Sequence, residues 1–86
     1  MIRVNTTMMR TLYRSVKGKE RRYTIELVSS LFGEWVVIRT FGSSSKISPK
    51  GVIKTYYGNQ EQAEEYLQIL LLQKTKKGYR PQKNET

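Results

Sequence analysis

The sequence is informative first for the residue types that it lacks. Cysteine, histidine and aspartate are all absent from its 86 residues, and its seven acids are glutamates. Without cysteine, neither disulfides nor thiolate zinc sites can form. Catalytic triads and most general acid–base sites draw on the same missing residue types. We therefore expect no enzymatic activity, no metal site, no cofactor and no small-molecule substrate.

Long apolar segments are also missing. No run approaches the roughly 18 apolar residues of a transmembrane helix. The first residues lack the apolar core of a secretory signal peptide. These absences predict a cytoplasmic protein with no membrane partner. A chain of this length is expected to form one small domain with one modest core, and we expect a monomer.

Positive charge is what the sequence has in excess. Sixteen Lys and Arg residues against seven Glu residues give a formal net charge of +9 and a pI near 10.0. A domain this basic favours a polyanionic partner, most often nucleic acid. The alternative is a solvated basic surface on a protein that binds something else. Residues 1–58 contain eleven bases and three acids, a net +8, whereas residues 59–73 contain three acids and no base. This distribution predicts that the sheet side is the positive side.

Apolar and β-branched residues alternate along four segments, which predicts four strands. These strands are Arg10–Val16, Arg22–Val28, Trp35–Phe41 and Val52–Tyr57. Both faces of Trp35–Phe41 are largely apolar, so the pattern leaves open which face meets the helix. In the connection at residues 29–34, Leu31 and Phe32 are expected to fold back onto the core.

One helix is predicted after the last strand. Asn59 is a good N-cap residue, and Gln62 stands at the capping-box position three residues later. The spacing of apolar residues predicts a buried stripe formed by Ala63, Tyr66, Leu67, Leu70 and Leu71. Ile69 and Leu72 are expected to widen this stripe, and Gly78 to end the helix.

Together these elements predict an α+β fold, a four-stranded antiparallel sheet with one C-terminal helix packed on one face. Residues 1–8 are interpreted as a flexible N-terminal arm, residues 9–80 as the single domain and residues 81–86 as a disordered tail. Tyr79, just after the helix, is expected to pack back onto it.

Residues 42–51, between the third and fourth strands, are rich in serine and lysine. Backbone N–H groups, hydroxyls and nearby ammonium groups can together hold a phosphate; a solvated hairpin loop is the alternative. An aromatic side chain beside this loop could stack on a base or sugar, or belong to the core. The candidate nucleic-acid contacts are Arg39, Phe41, Ser43, Lys46, Lys50 and Lys54. A second basic cluster at residues 10–22 is a further candidate surface, with a solvated hairpin as the favoured alternative. In the third, at residues 74–83, capping of the helix end accounts for Lys74, Lys76 and Lys77 without a ligand.

Four short segments together carry a family resemblance. They are the Tyr23-bearing strand, the turn Leu31–Trp35, the helix start Gln62–Glu64 and the ending Lys74–Tyr79. From Arg22 onward the chain resembles a WGR domain, and its Phe41-Gly42-Ser43 stands where that family has Trp-Gly-Arg. The resemblance implies that Phe41 keeps the packing of the Trp on a terminal sugar at a broken DNA end. Ser43 cannot supply the planar charged fork of the Arg.

The resemblance and the charge point to the same function. We expect a non-catalytic module that binds nucleic acid, DNA rather than RNA, through its phosphate backbone or strand ends. The alternative is a protein–protein interaction module of the same fold that has lost DNA-end recognition. WGR domains also occur in bacteria, alone or fused, so a bacterial intracellular protein is expected.

Overall fold

The computed structural model describes residues 5–43 and 50–81, which form four strands and one helix as the sequence predicts. The elements are β1 Asn5–Val16, β2 Lys19–Ser29, β3 Trp35–Ser43, β4 Gly51–Tyr57 and α1 Gln60–Lys76. The strands are antiparallel, and their order in the sheet is β1-β2-β3-β4. The predicted α+β meander with a C-terminal helix is therefore confirmed.

Strand β1 begins at Asn5 rather than at the predicted Arg10. A register shift between Thr6 and Met8 interrupts its pairing with β2, and such a bulge breaks the two-residue period that sequence patterns rely on. Met8 packs against the core beyond the bulge. Residues 5–8 of the predicted arm thus belong to the sheet, whereas residues 1–4 of that arm and residues 82–86 of the predicted tail at 81–86 lie outside the described residues.

The helix covers one face of the sheet and encloses the core. Residues that pair directly across strands share a face, so Val37 lies beside Leu27, with Ile25 two residues along β2 on the same face. These three side chains are fully buried under Ala63 and Leu67 of the helix. The face of β3 that meets the helix, which the sequence pattern left open, is therefore the face of Val37.

Both ends of the helix follow the prediction. The Asn59 side chain accepts a hydrogen bond from the Gln62 backbone N–H at 2.9 Å, and Gly78 adopts a φ of 101° after the last turn. The prediction that Ile69 and Leu72 widen the buried stripe is wrong, because both are exposed. Each helical residue turns the side chain by about 100°, which carries these two positions to the solvent side when Leu67 faces the sheet.

The expectation that Leu31 and Phe32 fold back onto the core is also wrong. Their side chains are 67% and 79% exposed. The Ser30 Oγ accepts hydrogen bonds from the backbone N–H groups of Phe32 and Glu34, each at 3.2 Å. This turn is closed by its own hydrogen bonds and directs both apolar side chains beyond the end of the sheet.

Candidate functional site

A groove lies at one end of the sheet, where the β1–β2 turn meets the end of β3. Its volume is about 650 Å³. We call it the basic groove, and its described lining is Val16, Lys17, Lys19, Glu20, Arg21, Arg22, Phe41, Gly42, Ser43, Lys50 and Tyr79. In a meander the first and third connections fall at the same end of the sheet, so this groove combines segments that are far apart in sequence.

The β1–β2 turn positions the cations on one side of the groove. Val16 and Lys19 pair across the strands, leaving Lys17 and Gly18 as the loop, with φ values of 52° and 78°. Positive φ at both central residues is typical of the tight hairpin turn that matches the twist of its strands. The turn therefore holds Lys17 and Lys19 at fixed places on the rim, and both are exposed.

Phe41 forms an aromatic wall of the groove. Its ring stacks on that of Tyr23, with centroids 6.0 Å apart and an angle of 13° between the planes. On its other side it covers Gly51, where an added Cβ would lie 2.5 Å from the Phe41 Cζ. The backbone N–H of Lys50 donates to the Phe41 carbonyl at 2.8 Å. Glycine at position 51 thus leaves the room that the Phe41 ring occupies.

Tyr79 closes the groove from the helix side. The backbone N–H groups of Gly78 and Tyr79 donate to the carbonyls of Thr75 and Lys74 at 3.1 and 3.0 Å, the arrangement of a Schellman helix end. The next residue, Arg80, exchanges two backbone hydrogen bonds with Tyr13 of β1, at 2.7 and 2.8 Å. The helix end is thereby tied to the edge of the sheet, and Tyr79 is buried against Tyr23.

Lys74 lies beneath this wall, between two tyrosine rings. Its Nζ is 4.4 Å from the centroid of the Tyr23 ring and 5.7 Å from that of Tyr79. Burial lowers the pKa of Lys74, and the positive charges of Lys77, Arg39 and Arg14 lower it further. The two ring faces partly compensate the lost hydration of this ammonium group.

Arg39 lies deeper on the same face of the sheet. Its guanidinium carbon is 5.8 Å from the centroid of the Tyr66 ring, and its Nη1 donates to the Tyr23 hydroxyl at 3.5 Å. The Arg39 Nε is buried without a hydrogen-bond partner. Burial raises the pKa of Tyr23, with Arg39 acting in the opposite sense. This placement makes Arg39 a cation–π partner under the helix.

The structure brings together three of the predicted site residues. Phe41, Ser43 and Lys50 all line the basic groove. Arg39 lies under the helix, and Lys54 pairs with Ile38 on the sheet face that the helix leaves open. Lys46 falls in the segment 44–49, outside the described residues.

The prediction from sequence kept the cations of the β1–β2 hairpin apart from the loop at 42–51. The structure places Lys17, Lys19, Arg21 and Arg22 in one groove with Ser43 and Lys50. The predicted strand order could have indicated this proximity, because the first and third connections of a meander lie at the same end of the sheet.

Two classes of site find no support among residues 5–43 and 50–81. These residues contain no group of three or more acidic side chains placed to hold a metal ion. They also contain no helix long and apolar enough to span a membrane.

A family model for the WGR domain matches residues 6–86. Searches of curated proteins and of solved structures each found no match. WGR domains are in general non-catalytic modules that bind nucleic acid. Because the matched segment spans essentially the whole chain, the protein belongs to the WGR domain family.

Proposed function

We propose that this protein is a non-catalytic DNA-binding module whose basic groove contacts backbone phosphates at or near a strand end. One observation carries the proposal. Cations from two connections that are distant in sequence meet in a groove walled by the rings of Phe41 and Tyr79. Phosphate contacts supply most of the affinity of such modules and do not depend on base sequence.

The electrostatic part of the groove suits a phosphate backbone. Four of its cationic side chains are exposed, namely Lys17, Lys19, Arg21 and Lys50. Their charges are available to a ligand without breaking the core, because none of them belongs to the buried cluster. The Ser43 hydroxyl lines the same groove and adds a group that can donate to a phosphate oxygen.

The aromatic part of the groove suits a sugar better than a base. The Phe41 ring already stacks on Tyr23, so one of its faces is used within the fold. Its other side covers Gly51, so the free ring edge is the part that can pack against a terminal sugar, as the family resemblance implies for this position. Intercalation between two bases would require the ring to leave Tyr23.

Arg21 offers a replacement for the arginine that the signature lacks. Ser43 stands where the family has that Arg, and Arg21 is its direct partner on the neighbouring strand β2. Paired positions of antiparallel strands have Cβ atoms roughly 5 Å apart on the same face. We therefore assign to the Arg21 guanidinium the bidentate phosphate contact that the missing arginine would make.

A binding panel tests this function directly. Fluorescence anisotropy at low salt would compare blunt, nicked and single-stranded DNA with RNA of matched length. We expect binding to all DNA forms, with preference for those that expose a strand end. Absence of binding to every oligonucleotide at low salt would contradict the proposal.

Two variants test the role of Arg21. The change Arg21→Gln should weaken DNA binding about tenfold, since a charge-assisted contact contributes roughly 1.5 kcal/mol. Adding Ser43→Arg to that variant should restore most of the loss, because the fork returns to the same place from the neighbouring strand. If Ser43→Arg restores nothing, Arg21 does not act as the substitute.

A second function is favoured by the outer edge of the sheet. Strand β4 is an edge strand, and its Val52, Ile53 and Tyr56 side chains are 50%, 39% and 59% exposed. An extended peptide from a partner protein can add to such an edge through main-chain hydrogen bonds. This protein-interaction function would be supported by the same panel if oligonucleotides fail to bind.

A further inference from the structure

The two ends of the domain differ in charge. The β2–β3 turn and the start of the helix lie at the end opposite the basic groove, because Trp35 pairs with Tyr57 there. The described acids at this end are Glu34, Glu61, Glu64 and Glu65. We call this the acidic end. The described residues of the β2–β3 turn and of the first helical turns, 30–34 and 60–66, include no Lys or Arg.

The acidic end also presents two exposed apolar side chains. Leu31 and Phe32, which we call the apolar turn, are 67% and 79% exposed. Their backbone is held by hydrogen bonds to Ser30, including one from the Ser30 N–H to the Glu34 carbonyl at 2.9 Å. A well-ordered turn loses little conformational freedom when its side chains dock. Exposed apolar groups rimmed by charge are typical of interaction surfaces.

The basic groove has the complementary properties. Its floor and walls include Val16, Phe41 and Tyr79, and its rim carries the four exposed cations. An apolar projection at the acidic end is therefore complementary in charge to an apolar groove lined mainly by bases. A nucleic acid does not fit the acidic end, because its phosphates would meet carboxylates there.

We propose that the domain associates head to tail with a second copy of itself, the apolar turn of one copy seated in the basic groove of the next. The two surfaces lie at opposite ends of a molecule 44 Å long, so the contact is heterologous. Such a contact leaves one groove and one apolar turn unused in every dimer, which permits longer chains.

The small area of this contact makes the interaction weak. Two apolar side chains and a rim of exposed ion pairs bury less than the roughly 800 Å² per partner of a stable complex. The net charge of +9 opposes association. At about 0.1 M salt, charges more than roughly 10 Å apart are screened while contacting pairs still attract, so moderate ionic strength favours the contact.

The contact uses the surface that the proposed function assigns to DNA. If that function holds, a second copy and an oligonucleotide compete for one groove, and self-association decreases when DNA is bound. This consequence rests on the proposed function, whereas the self-association itself does not.

Sedimentation velocity over a wide range of protein concentration, at about 0.1 M salt and without nucleic acid, tests the proposal. We expect a concentration-dependent shift from monomer towards dimer and longer species. Phe32→Ser should weaken this association about tenfold or more, since it removes a large apolar group from the contact. Leu72→Ser is the matched control, because Leu72 is exposed on the helix and belongs neither to the apolar turn nor to the lining of the basic groove; it should leave the association unchanged.

A mixing experiment distinguishes head-to-tail contact from a symmetric dimer. The double change Lys19→Glu with Lys50→Glu removes the groove's attraction while keeping the apolar turn, and Phe32→Ser does the reverse. Each variant alone should associate at least tenfold more weakly than the wild type, and their mixture should form dimers but no longer species. Wild-type protein that stays monomeric at every concentration, or a mixture that stays monomeric, overturns the proposal.

An oligonucleotide arm separates this inference from the proposed function. Single-stranded DNA added to wild-type protein should dissolve the self-association. If the protein self-associates as described but DNA neither binds nor competes, the DNA-binding function fails and the head-to-tail contact stands. If DNA binds and no self-association is seen, the head-to-tail contact fails and the DNA-binding function stands.

Discussion

Neutralising Lys50 should change the salt dependence of DNA binding, whereas neutralising Lys54 should not. The two lysines are four residues apart, and Lys→Gln removes one charge from either. Lys50 lines the basic groove, but Lys54 lies beside Ile38 on the open face of the sheet. The pair therefore separates a contact in the groove from a general effect of net charge.

The magnitude follows from the exposed cations of the groove. If all four neutralise phosphates, log K falls with log salt at a slope of about −3.6 on duplex DNA, and affinity drops roughly 150-fold between about 50 and 200 mM salt. Lys50→Gln should reduce the slope to about −2.7 and that drop to roughly 40-fold. If the contact arises from counterion release alone, the variant binds roughly 15-fold more weakly at about 50 mM and roughly fourfold more weakly at about 200 mM.

Anisotropy titrations with one labelled duplex at several salt concentrations measure these slopes. Lys54→Gln should give the wild-type slope within error. Equal slopes for Lys50→Gln and the wild type, or equal reductions for the two variants, would refute the assignment of phosphate contact to the groove.

Three further changes probe the fold around the groove. Lys17→Asn should raise the free energy of unfolding by about 0.5–1 kcal/mol in urea titrations, because Asn tolerates positive φ better, and should still weaken DNA binding. Gly51→Ala should lower the free energy of unfolding by about 1–3 kcal/mol and alter the near-ultraviolet circular dichroism, because the new Cβ displaces the Phe41 ring. An unchanged spectrum would contradict the contact between Phe41 and position 51. Burial lowers the pKa of Lys74 below its ordinary 10.5, so between the two values the unfolded chain binds more protons than the folded chain. The free energy of unfolding, relative to a Lys74→Met variant, should therefore rise with pH up to about 10.5, and a flat difference would refute this.

The fold could be predicted largely because its determinants are local. The two-residue alternation of β2 and β3 and the spacing of Ala63, Leu67 and Leu70 each describe a single face of a single element. Asn59 and Gly78 act on neighbouring backbone groups, so their roles at the helix ends were also predictable. The start of β1 was missed because the bulge after Thr6 disturbs that alternation.

The candidate site was predictable only in part. Phe41, Ser43 and Lys50 were found because they cluster along the chain, and a short segment keeps its residues together in any fold. Lys19 was placed in a separate basic cluster, since only the pairing of three strands brings it into the same groove as Lys50. Arg39 looked the same as Lys54 in sequence, yet the pleat sends them to opposite faces of the sheet.

The amino-acid sequence by itself determined the available chemistry and the secondary structure. It offers positive charge, serine and aromatic rings but no histidine, cysteine or aspartate, and its periodicities specify strands and one capped helix. Only the tertiary structure decided which charges meet, which face is covered and which end is acidic. The physical reason is that antiparallel pairing brings distant connections to one end of a sheet, and composition carries no record of that register.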